Sequence, residues 1–130
     1  GRLGGTAMIG QRPESQVLAA SVRDDVTWGI ETELSELELV QVLESVGLVD
    51  EIGRETSALS GGQLQRLALA SAILRRPRLL LSDESTAMID PEGRRVVRER
   101  LRALADKGVT VVHVSHLDAD LEIADQVVNL

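Results

Sequence analysis

The sequence predicts an α/β protein in which a parallel sheet is interrupted by a long helical segment. After residue 77, short apolar runs alternate with helical patterns, which is typical of parallel strands joined by right-handed crossovers. Between residues 12 and 76, the apolar residues recur at helical spacing instead. We therefore divide the chain into sheet-forming pieces at residues 1–11 and 77–130 and an inserted helical segment at residues 12–76.

Composition restricts the possible classes of function. The 130 residues suffice for one domain, and a hydrophobic fraction of 43% favours a globular protein over a disordered one. The chain has no cysteine and two histidines, which argues against disulfides and a structural zinc site. A net charge of -7 argues against binding to nucleic acid or to an anionic membrane surface. With no long apolar run and no signal peptide, we expect a soluble, cytoplasmic protein.

Short apolar runs mark the predicted strands. Residues 6–10 form the first, which ends at Gln11, and Pro13 then disfavours helix in the residue before it. Residues 79–81 are a continuous apolar run of the kind found in strands buried on both faces of a sheet, and residues 109–115 are expected to form a second buried strand. A last strand is expected at residues 126–130.

Capping residues mark two helix starts. Ser35 with Glu38 three positions later predicts one start, and Gly47 supplies the stop. Asp90 followed by Pro91 predicts another, because aspartate caps the first turn and proline fits the first helical position.

The segment Leu-Ser-Gly-Gly-Gln at residues 59–63 predicts a third helix start and is the most informative part of the chain. Ser60 and Gln63 have the spacing of a capping box, in which each side chain binds the other residue's backbone N–H. Gly61 and Gly62 add backbone donors that a phosphate can approach closely at the positive end of the helix dipole. The pattern alone fits an ordinary capped helix equally well.

Polar residues follow three of the predicted strands, namely Gln11, then Asp83 with Glu84, then His116. The carboxyl ends of parallel strands meet at the edge of a sheet where ligands bind. One carboxylate there can hold Mg²⁺ and a second can deprotonate water, while an imidazole or amide can bind a phosphate, metal or water. Each residue taken singly also fits a polar side chain that ends a strand. We interpret His113, inside its strand, as structural.

The order of these motifs resembles that of the ATP-binding-cassette (ABC) ATPases. The resemblance covers nearly the whole chain and is most specific at residues 59–63 and 79–90. It implies a P-loop NTPase-like core, present in part at residues 1–11 and 77–130, with the ABC helical subdomain inserted at residues 12–76. It also implies ATP and Mg²⁺ as cofactors.

The resemblance implies that residues 59–63 are the signature motif, which contacts the γ-phosphate of ATP held by an opposing subunit. The motif residues that would contact the nucleotide are Ser60, Gly61, Gly62 and Gln63. Asp90 ends the D-loop and is expected to lie at the same nucleotide.

The resemblance also assigns the strand-end residues. Gln11 is similar to the Q-loop glutamine, which senses Mg²⁺ and couples to the membrane subunit. Asp83 matches the Walker B aspartate that holds Mg²⁺, and Glu84 matches the general base. His116 matches the switch histidine.

Residues 11–16 and 21–29 are similar to the ATPases of cobalt and energy-coupling-factor vitamin importers. This similarity implies an importer subunit that lies peripherally on the cytoplasmic face of the membrane. The implied partners are a second ATP-binding domain, arranged head to tail, and a transmembrane subunit contacted through the Q-loop and helical subdomain. No nucleic acid is expected.

The sequence departs from the family in one large respect, since it contains no G-x-x-x-x-G-K-[ST] phosphate loop. In the family this loop lies upstream of the glutamine, so we expect a chain that begins after it, stops inside a strand and is inactive alone. Ser82 and Ser85 replace an apolar residue and a proline. Two alternatives stay open, namely a non-catalytic interaction module and an ABC ATPase without a transport partner.

Overall fold

A three-stranded parallel sheet lies at the centre of the computed structural model, which describes residues 5–10, 12–30, 34–83 and 90–129. The strands are β1 (Thr6–Ile9), β2 (Leu79–Asp83) and β3 (Thr110–Val114), with β2 in the middle. Both strand pairs are parallel, which confirms the predicted α/β class with a parallel sheet.

Five α-helices connect or flank the strands within the described residues. They are α1 (Val22–Val26), α2 (Glu36–Ser45), α3 (Gly61–Leu74), α4 (Pro91–Asp106) and α5 (Asp118–Leu121). Short 3₁₀ turns occupy Pro13–Gln16, Val49–Glu51 and Thr56–Ala58. The connection from β1 to β2 therefore carries α1 to α3, as the helical pattern predicted, while the connection from β2 to β3 carries α4.

The helix boundaries confirm the predicted caps. The Ser35 hydroxyl accepts from the backbone N–H of Glu38 at 3.1 Å at the start of α2. Gly47 follows that helix with φ +74°, a left-handed conformation that glycine adopts without steric cost. At the start of α4, the Asp90 carboxylate accepts from the N–H of Gly93 at 2.8 Å.

One continuous aliphatic core joins the helices to the sheet. Ile9 of β1, Leu67 of α3, Leu80 of β2 and Leu101 of α4 are each at most 2% exposed. Because α3 packs against both β1 and α4, its position relative to the strand ends is fixed by this core.

Two expectations about the strands are wrong. β3 is not buried on both faces, since Val112 and Val114 are 48% and 50% exposed and no described strand pairs with its outer edge. Residues 126–129 pair with no strand, and Val128 is 79% exposed. An apolar run becomes a strand only beside a partner that binds its backbone. No described segment supplies such a partner for residues 126–129. Leu130 lies outside the described residues.

β2 differs from its prediction in a smaller way. Leu80 and Ser82 are buried, whereas Leu79 and Leu81 are half-buried on the opposite face. Within the residues that the structure describes, no helix has both the length and the apolar character needed to cross a membrane.

Candidate functional site

The N-terminus of α3 is a complete capping box. Ser60 has extended backbone angles, φ -69° and ψ 166°, and its hydroxyl accepts from the N–H of Gln63 at 3.1 Å. The Gln63 side-chain oxygen accepts in return from the N–H of Ser60 at 2.9 Å. The predicted reciprocal pair is therefore present.

This box leaves two backbone donors for a ligand. The first four N–H groups of a helix have no acceptor within the helix, and here they belong to residues 60–63. The box binds those of Ser60 and Gln63, so those of Gly61 and Gly62 are the two it does not use. A Cβ atom placed on Gly61 would meet no atom within 4 Å, which shows open space beside this turn. An anion can therefore approach the positive end of a 14-residue helix.

The register of the sheet brings the strand ends to one edge. Ile9 lies beside Ser82, and Asp83 lies beside Val114. Asp83 is half-buried at the end of β2, and His116 is exposed two residues after β3. The described strand ends thus meet at one edge, while the roles of Asp83 and His116 there stay predictions.

Two of the predicted catalytic residues, Gln11 and Glu84, lie outside the described residues, as does Ser85. The described part of the edge is therefore Gly10, Asp83 and the turn that carries His116. Asp90 is placed at the N-cap of α4, where its carboxylate is already bound to Gly93.

Gln65 ties the start of α3 to this edge. Its Nε2 donates to the carbonyl oxygen of Gly10 at 3.3 Å, and the residue is 3% exposed. The contact spans 55 residues of sequence. Nothing local marks Gln65, because a single glutamine in an amphipathic helix usually faces solvent. It was therefore missed from sequence.

Gln16 binds the backbone at the end of β1 on the edge that no described strand occupies. Its Nε2 donates to the carbonyl oxygen of Met8 at 2.9 Å, and its Oε1 accepts from the N–H of Gly10 at 2.9 Å. The side-chain amide therefore takes the place of a neighbouring strand at the end of β1, next to Gln11. The only sequence signal for Gln16 was its place in the 11–16 pattern.

A buried polar network behind the edge was also missed. Asp120 of α5 has a fully buried side chain, and its Oδ2 lies 2.8 Å from Nε2 of His113. Nδ1 of the same imidazole lies 2.9 Å from the hydroxyl of Ser82, which is 1% exposed. The serine that departs from the family pattern thus has a polar partner, and His113 makes the bonds of a structural residue.

Asp83 fits the chemistry of a magnesium ligand. Mg²⁺ takes oxygen ligands, retains several waters and uses one or two carboxylates alongside substrate phosphates. The half-exposed carboxylate of Asp83 can supply one such ligand while water supplies others. Among the described residues no group of three or more histidine, aspartate or glutamate side chains is placed to hold a metal without a substrate.

Comparison with known proteins gives one consistent result. The model of the ABC transporter family matches residues 4–87. An uncharacterised ABC transporter ATP-binding protein of Mycobacterium tuberculosis is 44% identical over all of this chain and 19% of its own length. The energy-coupling factor transporter ATP-binding protein EcfA1 of Clostridioides difficile is 39% identical, over 93% of this chain and 46% of its own length.

A solved structure gives the same match in three dimensions. It is that of cbiO1 from Clostridium perfringens, part of the ABC transporter complex cbiONQ, with a TM-score of 0.72 and 28% identity. The match covers 87% of this chain and 47% of cbiO1. The chain thus spans less than half the length of each of these three proteins.

Proposed function

The chain belongs to the ABC transporter family, and on that premise we propose that it is part of the ATP-binding subunit of an importer. In this proposal the chain supplies the signature motif, the Walker B strand, the D-loop and the switch histidine. Residues 12–76 are the ABC helical subdomain, and residues 1–11 and 77–130 belong to the ATPase core. The similarity to EcfA1 and cbiO1 supports an importer of the cobalt or energy-coupling-factor type.

The observation that carries this proposal is the start of α3. The capping box uses two of the four donors of the first turn and leaves those of Gly61 and Gly62, with open space beside Gly61. Two backbone donors at a positive helix end suit a phosphate better than a neutral ligand. We assign them, with the side chains of Ser60 and Gln63, to the γ-phosphate of ATP held by a second, head-to-tail ATP-binding domain.

The sheet edge would perform the hydrolysis. Asp83 would hold Mg²⁺, which when bound neutralises charge that develops on the transferred phosphate. Glu84 would take a proton from the attacking water, and His116 would bind the γ-phosphate from the neighbouring strand. Gln11 would contact the metal or water and report its presence to the helical subdomain. The roles of Gln11 and Glu84 rest on their place in the sequence.

The proposed partners follow from this arrangement. A transmembrane subunit would contact the Q-loop and the helical subdomain, which places the protein peripherally on the cytoplasmic face of the membrane. Gln16 and Gln65 bind the chain at Gly10 from two sides, so a displacement of the helical subdomain would reach the residue next to Gln11. Asp90 would meet the nucleotide from the start of α4.

We further propose that this chain alone binds ATP weakly, because it has no phosphate loop to hold the β- and γ-phosphates. The measurement is isothermal titration of the 130-residue chain with Mg-ATP. We expect no saturation in the micromolar range. A micromolar dissociation constant would overturn this part of the proposal.

Hydrolysis is tested in a fusion of this chain to the part of C. difficile EcfA1 that precedes the matching region, where the family resemblance places the phosphate loop. We expect the fusion to turn over ATP and the Glu84→Gln variant to lose that turnover. Glu44→Gln is the matched control, because Glu44 is an exposed glutamate of α2. Equal turnover in the Glu84→Gln variant contradicts the general-base assignment, and a fusion without turnover favours a non-catalytic module.

A further inference from the structure

Asp120 has a buried carboxylate whose partners include the side chains of Ser115, His113 and Arg98. Its side chain is fully buried and accepts from the hydroxyl of Ser115 at 2.6 Å. Nε2 of His113 lies 2.8 Å from the same carboxylate oxygen, and the Arg98 guanidinium of α4 lies 3.5 Å from the other. Burying a carboxylate is costly unless it is paired, so these groups hold the side chain in one place.

These bonds enclose the turn that carries His116. The Ser115 hydroxyl, bound to Asp120, also accepts from the N–H of Leu117 at 3.0 Å. The N–H of Asp120 donates to the carbonyl oxygen of Leu117 at 3.0 Å. The residues before and after His116 are therefore both tied to Asp120, which leaves the turn little freedom to rotate.

The same network also reaches β2, the strand that carries Asp83. An ionised carboxylate only accepts hydrogen bonds, so Nε2 of His113 carries a proton toward Asp120. In the neutral ring Nδ1 is then an acceptor, and the Ser82 hydroxyl lies 2.9 Å from it. Ser82 directly precedes Asp83 in β2. A chain of bonds thus runs from the strand of Asp83 to the turn of His116.

Ser82, His113 and Asp120 have the composition of a hydrolase triad, yet burial excludes that chemistry. Ser82 is 1% exposed and Asp120 is 3% exposed, so no substrate can reach the hydroxyl. We therefore interpret these hydrogen bonds as holding segments of the chain in place.

We propose that Asp120 is a positioning residue that fixes the turn of His116 relative to the end of β2. The inference rests on the proposed role of His116 at the γ-phosphate. Its local part, the ordering of the turn, does not depend on that role and is measured separately.

The local part is tested by NMR on the 130-residue chain. Asp120→Ala and Ser115→Ala are expected to speed exchange of the Leu117 amide about fivefold, the effect of losing one ordinary hydrogen bond, and to shift the His116 ring signals. Asp118→Ala is the matched control, because Asp118 is an exposed aspartate of the same helix. Ser115→Thr keeps the hydroxyl and is expected to retain the wild-type exchange rate and ring signals.

The functional part is tested by turnover of the EcfA1 fusion. In Asp120→Ala and Ser115→Ala we expect kcat to fall roughly tenfold to a hundredfold, as for a misplaced catalytic group, with KM for Mg-ATP unchanged. Asp118→Ala and Ser115→Thr are expected to retain kcat. A purely structural role would instead lower the amount of folded enzyme and leave kcat per folded molecule unchanged.

The outcomes separate the two proposals. Unchanged Leu117 exchange and His116 signals in Ser115→Ala overturn the inference, even if Asp120→Ala fails to fold. Equal changes in Asp118→Ala and Asp120→Ala also overturn it. If the wild-type fusion does not hydrolyse ATP, the proposed function fails, and the NMR result alone decides whether Asp120 orders the turn.

Discussion

The Nε2 atom of Gln65 lies 3.3 Å from the carbonyl oxygen of Gly10, so the second turn of α3 is bonded directly to the end of β1. This contact joins the helix whose N-terminus can bind an anion to the edge that carries Asp83 and His116. One hydrogen bond thus links the two parts of the proposed site directly.

Removing the Gln65 amide tests how much this bond contributes. Gln65→Leu keeps a similar volume but leaves the Gly10 carbonyl without its partner in a buried place. We expect the free energy of unfolding to fall by about 1–2 kcal/mol. Urea unfolding measures it, with Gln41→Leu on the exposed face of α2 as the control. Equal stabilities of the two variants would contradict a buried bond at Gln65.

Position 47 requires glycine because of its backbone angle and because the Arg66 side chain lies close to it. Its φ is +74°, and a Cβ atom would lie 2.8 Å from the Arg66 guanidinium, which donates to the carbonyl oxygen of Val46 at 3.0 Å. We expect Gly47→Ala to lower the free energy of unfolding by about 1–3 kcal/mol. Gly53→Ala should stay within about 0.5 kcal/mol, since a Cβ there meets nothing within 4 Å. Similar melting temperatures for both variants would show that a side chain at position 47 causes no strain.

The ion pair at the start of α2 predicts a pH-dependent stability. Hydrogen bonds from the Arg23 guanidinium, at 2.7 and 2.8 Å, lower the pKa of the Glu36 carboxyl from its ordinary value. Because the folded-state pKa is the lower one, the stabilisation is present at neutral pH and is lost as the pH falls through it. Glu36→Gln should therefore be less stable than wild type near about pH 7, and this difference should shrink toward about pH 3.

Denaturant unfolding at both pH values measures this difference, and added salt should reduce it at neutral pH, because the pair is exposed. Glu44→Gln, which removes an exposed charge from the same helix, serves as the control. A Glu36→Gln deficit that persists unchanged in acid would show that the deficit does not arise from the ionised pair.

Helix starts were predictable because their causes are local. Ser60 with Gln63, and Asp90 with Pro91, contain within four residues the groups that satisfy the first turn, so the sequence alone shows them. The alternation of apolar runs and helices also sufficed to predict a parallel sheet.

Features that depend on distant partners were missed. The exposure of β3 depends on which strand lies beside it, and its apolar sequence contains no such information. The bonds of Gln65 and of His113 with Ser82 join residues 55 and 31 positions apart. In the sequence, Ser82 shows only that the chain departs from the family pattern before Asp83. The structure shows that the imidazole of His113 lies beside it.

The central claim is that the first turn of α3 contacts a phosphate, and Gly61→Ala in the EcfA1 fusion tests it most directly. The added methyl meets no atom beyond its own turn within 4 Å, so the melting temperature should not fall, but we expect the methyl to enter the space where the phosphate would lie. We expect ATP turnover to fall roughly tenfold to a hundredfold, as for loss of a hydrogen bond to a charged group. Gly53→Ala should retain full turnover. Undiminished turnover in Gly61→Ala would contradict the claim.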